Sequence, residues 1–363
     1  MPYYRQIDGI RAIAVIGPVV VHFWPRTVPP SPYTPAIAHI GSLGVDLFFA
    51  ISGFLITGIL LRSRTTVALG RNNLLSVLRS FYVRRSIRLF PIYYLSLLIL
   101  AILGLQEIRE HWTWYAFYLA NFHMALTGQW PGALSHLWSL SVEEQFYLLW
   151  PFLILSLRDK WLPWVLLVAM LLAPLFRLLL SGIHAGPMSI AIITPCCLDP
   201  LCGGALLSYA FHAGRPERWW NWLRLAGGIG ILGTGVMLTR YILDSTGGPV
   251  NGTMPLLRVF TTLTFTAIIG HADAERTGRL GRLLICRPMV GLGRISYGVY
   301  LYHPFVGWGL DHAVGKSQSP TVMMFVLVLV CTILVASLSW HLVERPISSL
   351  KHRFPYAHNR AIP

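Results

Sequence analysis

The sequence predicts an all-α polytopic membrane protein, a single bundle of about ten transmembrane helices with both termini on the cytoplasmic side. Of its 363 residues, 55% are hydrophobic and 12% are charged, whereas soluble proteins carry about 25% charged residues. Apolar runs recur from one end of the chain to the other, which favours one bundle over several domains. Because lipid offers backbone groups no partners and the sequence lacks the alternation of barrel strands, these runs are expected to be helices.

The apolar runs define ten candidate spans. They fall near residues 8–24, 43–61, 88–105, 137–157, 161–180, 192–211, 224–242, 255–271, 288–309 and 321–343. A further stretch, 112–126, is interpreted as interfacial or re-entrant, because a span there would move the basic clusters 213–223 and 272–287 to the outer side. Residues 1–350 are thus expected to form one transmembrane domain, followed by a short basic cytoplasmic tail, 351–363.

The net charge of +15 agrees with the positive-inside bias and with attraction to anionic headgroups. Because the basic residues are spread over several short loops, we expect membrane lipid as a partner and no nucleic acid. The first apolar run has no clear cleavage site after it, so it is expected to remain as a span. The five cysteines match no zinc or disulfide spacing, and buried structural thiols are expected.

The stretch DGIRAIAVIGPVVVHFW, residues 8–24, places Arg11 and His22 in the first span. The helix between them makes roughly three turns plus 20° and rises about 16 Å, so both side chains share one face. Ionisable residues inside a span are costly and are functional candidates by default. We expect Arg11 to hold an anion at the cytoplasmic mouth and His22 to act as a general base, since imidazole titrates near neutrality.

The stretch FYVRRSIRLFP, residues 81–91, places Arg85 and Arg88 three positions apart, on one helical face at the membrane surface. A guanidinium binds phosphate oxygens through two parallel hydrogen bonds, so the pair is a candidate phosphate site. A plain positive-inside anchor is the alternative interpretation of the same residues.

Polar residues also enter the second span, LGVDLFFAISGFLITGILL, residues 43–61. Asp46 lies near its outer end and is expected either to orient an imidazole or to cap the helix. The small pair Ser52 and Gly53 lies mid-span, where it permits close approach of another helix or of a ligand.

Two consecutive carboxylates lie inside the span in SHLWSLSVEEQFYLLWP, residues 135–151. Because helical neighbours point about 100° apart, one of them is expected to face the interior, and we assign this position to Glu143 rather than Glu144. Glu143 is a candidate proton carrier or orienter of a histidine, and an ion pair with an interior arginine is the alternative.

The stretch RISYGVYLYHPF, residues 294–305, aligns Tyr297, Tyr300 and His303, a pattern more typical of a packed helix seam than of a ligand wall. Pro304 after His303 is expected to mark a kink. The sequence contains no P-loop, dinucleotide fingerprint, His-Glu-x-x-His or Gly-x-Ser-x-Gly motif, which argues against ATPase and Rossmann chemistry.

Five blocks in order resemble the acyltransferase-3 family of integral membrane O-acyltransferases. They are DGIRAIAVIGPVVVHF with its Arg-x10-His pattern, GVDLFFAISGFLIT, RRSIRLFP with Arg-x-x-Arg, HLWSLSVEEQFYLLWP and ISYGVYLYHP. The resemblance implies a multi-pass enzyme of a bacterial-type inner membrane. It implies transfer of an acyl group, commonly acetyl, from cytoplasmic acyl-CoA to a hydroxyl, often on a cell-surface or secreted glycan, and in some members on a small molecule such as a macrolide.

The resemblance also implies roles for individual residues. Arg11, Arg85 and Arg88, with Ser52 beside them, would bind the cofactor, acetyl-CoA or another acyl-CoA. His22 would accept the acceptor's hydroxyl proton, and Glu143 or Asp46 would orient the imidazole or carry the proton away. No metal is expected. Some members append an esterase-like domain, and without one the membrane domain is expected to handle the acceptor.

The main rival from another class is a proton-coupled transporter that uses His22 and Glu143 as a relay. Transport predicts discontinuous spans at matching places in two related halves, and the sequence shows no such repeat. A receptor-like bundle without chemistry would leave Arg11 and His22 unexplained. The sequence does not identify the acceptor, the acyl chain length or the oligomeric state. It also leaves open whether the acyl group is transferred directly or through an acyl-enzyme intermediate.

Overall fold

Helices form the regular structure of this chain in the computed structural model, which describes residues 5–23, 34–214, 216–244, 254–274, 278–313 and 322–356. They are α1 (Arg5–Phe23), α2 (Thr34–Ala68), α3 (Leu74–Ile102), α4 (Gln106–Ala116), α5 (Ala120–Thr127), α6 (Leu137–Ser156), α7 (Leu162–Gly182), α8 (Pro187–Ile192), α9 (Leu198–His212), α10 (Pro216–Asp244), α11 (Met254–Ala274), α12 (Arg279–Leu284), α13 (Arg287–Arg294), α14 (Ser296–Ala313), α15 (Val322–Ser339) and α16 (Arg345–Ser349). A π-helical turn, Trp340–Glu344, joins α15 to α16, and short 3-10 turns cover Gly132–Leu134, Thr194–Cys197 and Leu350–Arg353.

The predicted all-helical fold is confirmed among the described residues; eight of the ten predicted spans each fall mainly on one helix, and two are divided between shorter elements. Six described helices are long and apolar enough to cross a bilayer, and Leu256–Ala272 is a shorter apolar helix. The number ten and the cytoplasmic position of both termini stay predictions. Trp24 and Thr321, at the ends of two predicted spans, and residues 357–363 of the predicted tail lie outside the described residues.

Three predicted segments are interrupted. The stretch 112–126 divides into α4 and α5, of 11 and 8 residues, and a helix needs about 20 residues to cross a bilayer. The predicted span 288–309 is broken between α13 and α14, at Ile295. The predicted span 192–211 starts at the last residue of α8, passes through a 3-10 turn containing Pro195, which has no backbone N–H to donate, and becomes α-helical again at Leu198.

The helices α1 and α2 form the centre of the bundle. In their most apolar windows 61% and 67% of residues are buried, whereas 17% or less are buried in α7, α10 and α15. The outer helices direct leucine and valine side chains outward, as lipid-facing helices do. Several polar residues of α1 and α2 are therefore held inside the protein, namely Gln6, Asp8, Asp46, Thr57 and Ser63.

Gly53 and Gly204 allow α2 and α9 to cross almost backbone to backbone. A Cβ on Gly53 would lie 1.8 Å from the Leu201 carbonyl oxygen, and one on Gly204 would lie 1.9 Å from that of Ala50. Both distances are far below van der Waals contact. Gly53 thus serves helix approach, and Ser52, its neighbour, faces a different side of α2.

A buried ion pair joins α7 to α9. The Arg177 guanidinium contacts both carboxylate oxygens of Asp199, at 2.9 and 2.7 Å, and each side chain is 2% exposed. Arg177 also donates to the Cys196 carbonyl at 2.6 Å, next to the 3-10 turn. Asp199 and the Cys196 carbonyl thus partner the charge of an arginine that is almost entirely buried.

Candidate active site

Two adjoining cavities penetrate the bundle and share Val45 and Tyr300 as wall residues. The larger has a volume of about 1480 Å³ and the smaller of about 60 Å³. The polar lining of the larger includes His22, Asp46, His136, Arg177 and Arg258. The smaller is lined by Arg11, Ser52, Arg85, Arg88, Glu143 and Tyr147.

The helix α1 links the two cavities, because it presents Arg11 to the smaller one and His22 to the larger one. This placement agrees with the prediction that the two side chains share a face of the first span. With about 16 Å of helix between them, the pair marks two ends of one elongated site.

Three histidines from separate parts of the chain meet in the larger cavity. His22 Nδ1 lies 2.7 Å from His303 Nε2, and the two rings stack at a centroid distance of 4.9 Å. His136 packs its ring edge-on against His303, with the centroids 5.3 Å apart. His303 and His136 are fully buried, while His22 is half-buried.

The hydrogen bonds of His303 fix the tautomers of the pair. Pro304 has no N–H, so it cannot donate the helical hydrogen bond to the carbonyl of Tyr300, four residues earlier. His303 Nδ1 lies 2.7 Å from that carbonyl oxygen. Because a carbonyl oxygen only accepts hydrogen bonds, Nδ1 must carry a proton and donate it. When neutral, His303 must therefore accept at Nε2, and His22 must donate from Nδ1. The lone pair of neutral His22 is then on Nε2, where a general base needs it.

The helix α14 continues through Pro304, the position of the predicted kink, to Ala313. The predicted seam residues are also part of the site rather than packing alone. The Tyr300 hydroxyl donates to the His136 carbonyl at 3.1 Å and contacts Ser139 Oγ, while its ring lies in the wall between the cavities. Tyr300 thus connects the histidines to the wall that Val45 and Tyr300 form between the two cavities, which we call the partition.

Asp46 lines the larger cavity as part of an ion pair with Arg258. The guanidinium of Arg258 lies 3.1 Å from Asp46 Oδ2 through Nε and 2.9 Å from Oδ1 through its terminal nitrogen. Arg258 also donates to the Ala191 carbonyl at 2.9 Å. Asp46 therefore has an arginine partner in this structure, and the imidazole of His22, which Asp46 or Glu143 was expected to orient, bonds through Nδ1 to His303.

Guanidinium groups crowd the smaller cavity. Arg11, Arg85 and Arg88 are close enough to interact electrostatically with one another and with Glu143. Arg11 also has Asp8 as a partner at 3.7 Å, and Arg85 lies 4.8 Å above the Tyr147 ring. Three cations around one small cavity make it a strong site for an anion with several charges.

Glu143 faces these arginines. Ser52 Oγ donates to Glu143 Oε1 at 2.6 Å, and Tyr147 donates to Ser52 Oγ at 3.0 Å. The structure thus brings five predicted residues together in one cavity, Arg11, Ser52, Arg85, Arg88 and Glu143. Among the described residues, the carboxylate of Glu143 bonds to Ser52 and interacts electrostatically with the three arginines, and no contact joins it to an imidazole.

Local sequence pattern indicates no role for His136 and identifies His303 only as part of a packed seam. Two signals were available. His136 stands directly before the predicted span, in HLWSLSVEEQ, and His303 is followed by a proline that frees a carbonyl for its ring. Convergence of the three rings depends on contacts across hundreds of residues, which no local pattern shows.

Comparison with known proteins places these residues in a family context. The family described as "Acyltransferase domain" matches residues 4–341. The peptidoglycan O-acetyltransferase OatA of Listeria monocytogenes is 28% identical over 373 residues, covering 95% of this chain and 56% of its own length. The O-acetyltransferase OatA of Staphylococcus aureus (strain NCTC 8325 / PS 47) is 28% identical over 371 residues, with 95% and 57% covered.

A putative peptidoglycan O-acetyltransferase of Bacillus subtilis, YrhL, gives the same picture, at 28% identity over 387 residues with 95% of this chain and 55% of the relative covered. The chain therefore spans a little over half the length of the curated relatives that it matches. No solved structure matches the chain.

Proposed function

This chain belongs to the acyltransferase-domain family, and on that basis we propose that it is a membrane O-acyltransferase that moves an acetyl group from acetyl-CoA to a hydroxyl of a cell-surface glycan. One observation carries the proposal. A single helix, α1, presents an arginine to a cation-lined cavity and a histidine of defined tautomer to a large adjoining cavity. A phosphate-bearing thioester and a hydroxyl acceptor are the substrates that such a pair suits.

The smaller cavity is the proposed donor site. Arg11, Arg85 and Arg88 supply bidentate partners for the phosphates of CoA. At about 60 Å³ the cavity is too small for a nucleotide, so the adenosine would stay at its mouth while the linear arm enters. An arm passing between Val45 and Tyr300 would bring the thioester toward His22. Glu143, held by Ser52, would balance the arginine charge.

The proposed chemistry is direct acyl transfer with His22 as general base. His22 Nε2 takes the hydroxyl proton as the acceptor oxygen attacks the thioester carbonyl carbon, and a C–O bond forms. The C–S bond then breaks, and the departing CoA sulfur takes the proton from His22. His303 is a positioning residue, because its Nε2 accepts the His22 Nδ1–H and holds the ring in this tautomer.

The larger cavity is the proposed acceptor site. Its volume of about 1480 Å³ exceeds the about 300–1,000 Å³ of ordinary small-molecule pockets. Trp130 and Trp308 add flat aromatic faces to the wall, on which sugar rings stack. The relatives are named as peptidoglycan O-acetyltransferases, which supports a glycan over a small molecule such as a macrolide.

The test is acetyl transfer by the purified full chain in proteoliposomes supplied with radiolabelled acetyl-CoA. Peptidoglycan glycan strands and a macrolide would serve as alternative acceptors. We expect label to enter the glycan as a base-labile ester, with one CoA thiol released for each ester formed. Label in the macrolide alone would change the acceptor class, and binding without transfer to either would oppose the enzyme assignment.

The variant His22→Ala tests the base. Loss of a general base typically lowers a rate by about 10²- to 10⁴-fold, whereas acetyl-CoA binding should survive. His271→Ala is the matched control, because His271 lies in α11, where its ring bonds the Ala267 carbonyl and it lines neither cavity among the described residues. A folded His22→Ala protein that turns over like wild type would eliminate His22 as the base.

A further inference from the structure

A second cluster of titratable side chains lies away from both cavities, where α4 meets α5. It consists of Glu107 and His111, one helical turn apart on α4, and His123 on α5. One ligand atom from each residue lies within 4.8 Å of the others. The proposed acyl transfer uses none of these three side chains, and none of them lines either cavity.

We propose that Glu107, His111 and His123 bind a divalent transition-metal ion, with zinc as the ion that fits their chemistry best. Two imidazoles and one carboxylate form the ligand set of open tetrahedral zinc sites, in which water takes the fourth position. A hard cation such as Mg²⁺ prefers oxygen ligands throughout.

The distances suit this assignment. His123 Nε2 lies 3.2 Å from Glu107 Oε1, and neighbouring ligand atoms in a tetrahedral zinc site lie about 3.3 Å apart, given metal–ligand bonds of about 2.0–2.2 Å. The His111 ring stands beside that of His123, with the centroids 4.7 Å apart and the planes inclined by 47°. The ligand atom of His111 lies within 4.8 Å of the other two, so a small side-chain movement would complete the geometry.

The surroundings hold the three side chains in place. The Tyr115 hydroxyl donates to Glu107 Oε1 at 2.8 Å, as groups around a metal site commonly fix a ligating carboxylate. The Trp114 ring stacks on His123 at 5.3 Å, with an interplanar angle of 28°. Arg109, the nearest cation in sequence, donates to the Ala101 carbonyl at 2.8 Å, so its charge is directed toward the end of α3.

The backbone also favours the site. His111 departs from helical geometry, with φ −122° and ψ 25°, and this break in α4 places its side chain on the side of His123. A bound ion would tie α4 to α5. Residues that follow His123, including Ala125 and Gly128, line the larger cavity, so the ion would fix one part of its wall.

The experiment uses the full chain, purified in detergent with a tag free of histidine and stripped with a chelator. Calorimetric titration with Zn²⁺ should show one equivalent bound by wild type and none by His111→Gln or His123→Gln. Tyr115→Phe should weaken binding by about 10- to 100-fold. His312→Gln is the matched control, since His312 is an exposed histidine near the end of α14 and should keep full binding.

Co²⁺ gives a readout independent of the variants. Wild type should show the visible absorption of tetrahedral Co²⁺, and Zn²⁺ should displace it, so this test remains decisive if a variant fails to fold. The proposal would be overturned if a folded double variant at His111 and His123 bound zinc as well as wild type does. It would also be overturned if wild type showed no spectrum of tetrahedral Co²⁺. In either case Glu107 and His123 would form a hydrogen-bonded pair without a metal. Neither result depends on acyl transfer.

Discussion

His22 Nδ1 lies 2.7 Å from His303 Nε2, although 281 residues separate the two in the chain. The contact joins α1 to α14 and makes the protonation of one ring depend on the hydrogen bonds of the other. Because His303 Nδ1 is committed to the Tyr300 carbonyl, the direction of the bond follows from the sequence of α14. This relationship generates the first two predictions.

Replacement of His303 should lower kcat while leaving donor binding intact. Leucine in His303→Leu is similar in size to histidine but apolar, so it removes the acceptor for His22 Nδ1–H. We expect kcat to fall by a factor approaching the about 10²- to 10⁴-fold contribution of a general base. His303→Gln offers an amide oxygen in the same region and should recover part of the rate. Steady-state kinetics check both, and equal losses in the two variants would indicate packing instead of hydrogen bonding.

Pro304→Ala should slow the enzyme without destabilising it. Alanine supplies the backbone N–H that proline lacks, so the Tyr300 carbonyl gains a helical donor that competes with His303 Nδ1. The helix should become more stable and the tautomer less well fixed. Thermal unfolding and kcat measure the two effects, and Pro174→Ala in α7 is the control for removal of a helical proline elsewhere. An unchanged kcat in Pro304→Ala would show that Pro304 is not needed to fix the tautomer of His303.

Arg85→Ala with Arg88→Ala should weaken acetyl-CoA binding in a salt-dependent way. Hydrogen bonds to charged groups contribute about 1.5–3 kcal/mol each, so the pair is worth at least about a hundredfold in affinity. Arg79→Ala is the control, because Arg79 is exposed on the same helix and lies over the Phe354 ring. Calorimetry with acetyl-CoA and its dephospho analogue measures the affinity. Unchanged affinity would mean that Arg85 and Arg88 only orient the helix in the membrane as a positive-inside anchor.

Asp199→Asn should destabilise the protein strongly and Asp159→Asn hardly at all. Asp199 is 2% exposed and pairs with Arg177, and removal of one partner from a buried pair costs about 3–5 kcal/mol. Asp159 also pairs with an arginine, Arg64 at 3.2 Å, but is 81% exposed, and such surface pairs contribute about 0–1 kcal/mol. Thermal unfolding in detergent compares the two, and similar losses would show that burial of the Arg177 pair matters little.

Gly204→Ala should prevent the close crossing of α2 and α9, because the new Cβ would lie 1.9 Å from the Ala50 carbonyl oxygen. We expect a lower thermal midpoint and poor accumulation in the membrane. Gly228→Ala in α10 is the matched control, since a Cβ there meets no atom within 4 Å. Alanine at that site should be neutral or stabilising by about 0.5–1 kcal/mol. A Gly204→Ala protein as stable as wild type would mean that the two helices can separate without cost.

The sequence predicted the helices well because hydropathy acts locally. Eight of the ten predicted spans fall mainly on one helix each, two are divided between shorter elements, and the doubtful stretch 112–126 forms two short helices. The breaks at Ile295 and at Thr194–Cys197 were missed, since window-averaged hydropathy does not register a short interruption in an apolar run. Bilayer orientation and span count depend on the charge argument, and they stay predictions.

The site was predictable where its residues share a helix and unpredictable where they converge from several. Arg11 with His22, and Arg85 with Arg88, follow from helical spacing alone. The partners of Asp46 and Glu143 do not, because Arg258 is 212 positions from Asp46 and Ser52 is 91 from Glu143. The residue types allow several partners for Asp46 and Glu143, and only the packing of distant helices determines which partner each one contacts.

The partition that Val45 and Tyr300 form between the two cavities bears on the electrical insulation of the membrane. An enzyme that works as proposed, with donor and acceptor on opposite sides of a bilayer, would have to avoid leaking protons across the membrane. Val45 and Tyr300 border both the cation-lined cavity and the larger one, and a narrow opening between them would admit a slender linear molecule more readily than hydrated ions, which are wider. Under the proposed function, acyl transfer would then proceed while this barrier stays closed, without the alternating gates on which carriers depend.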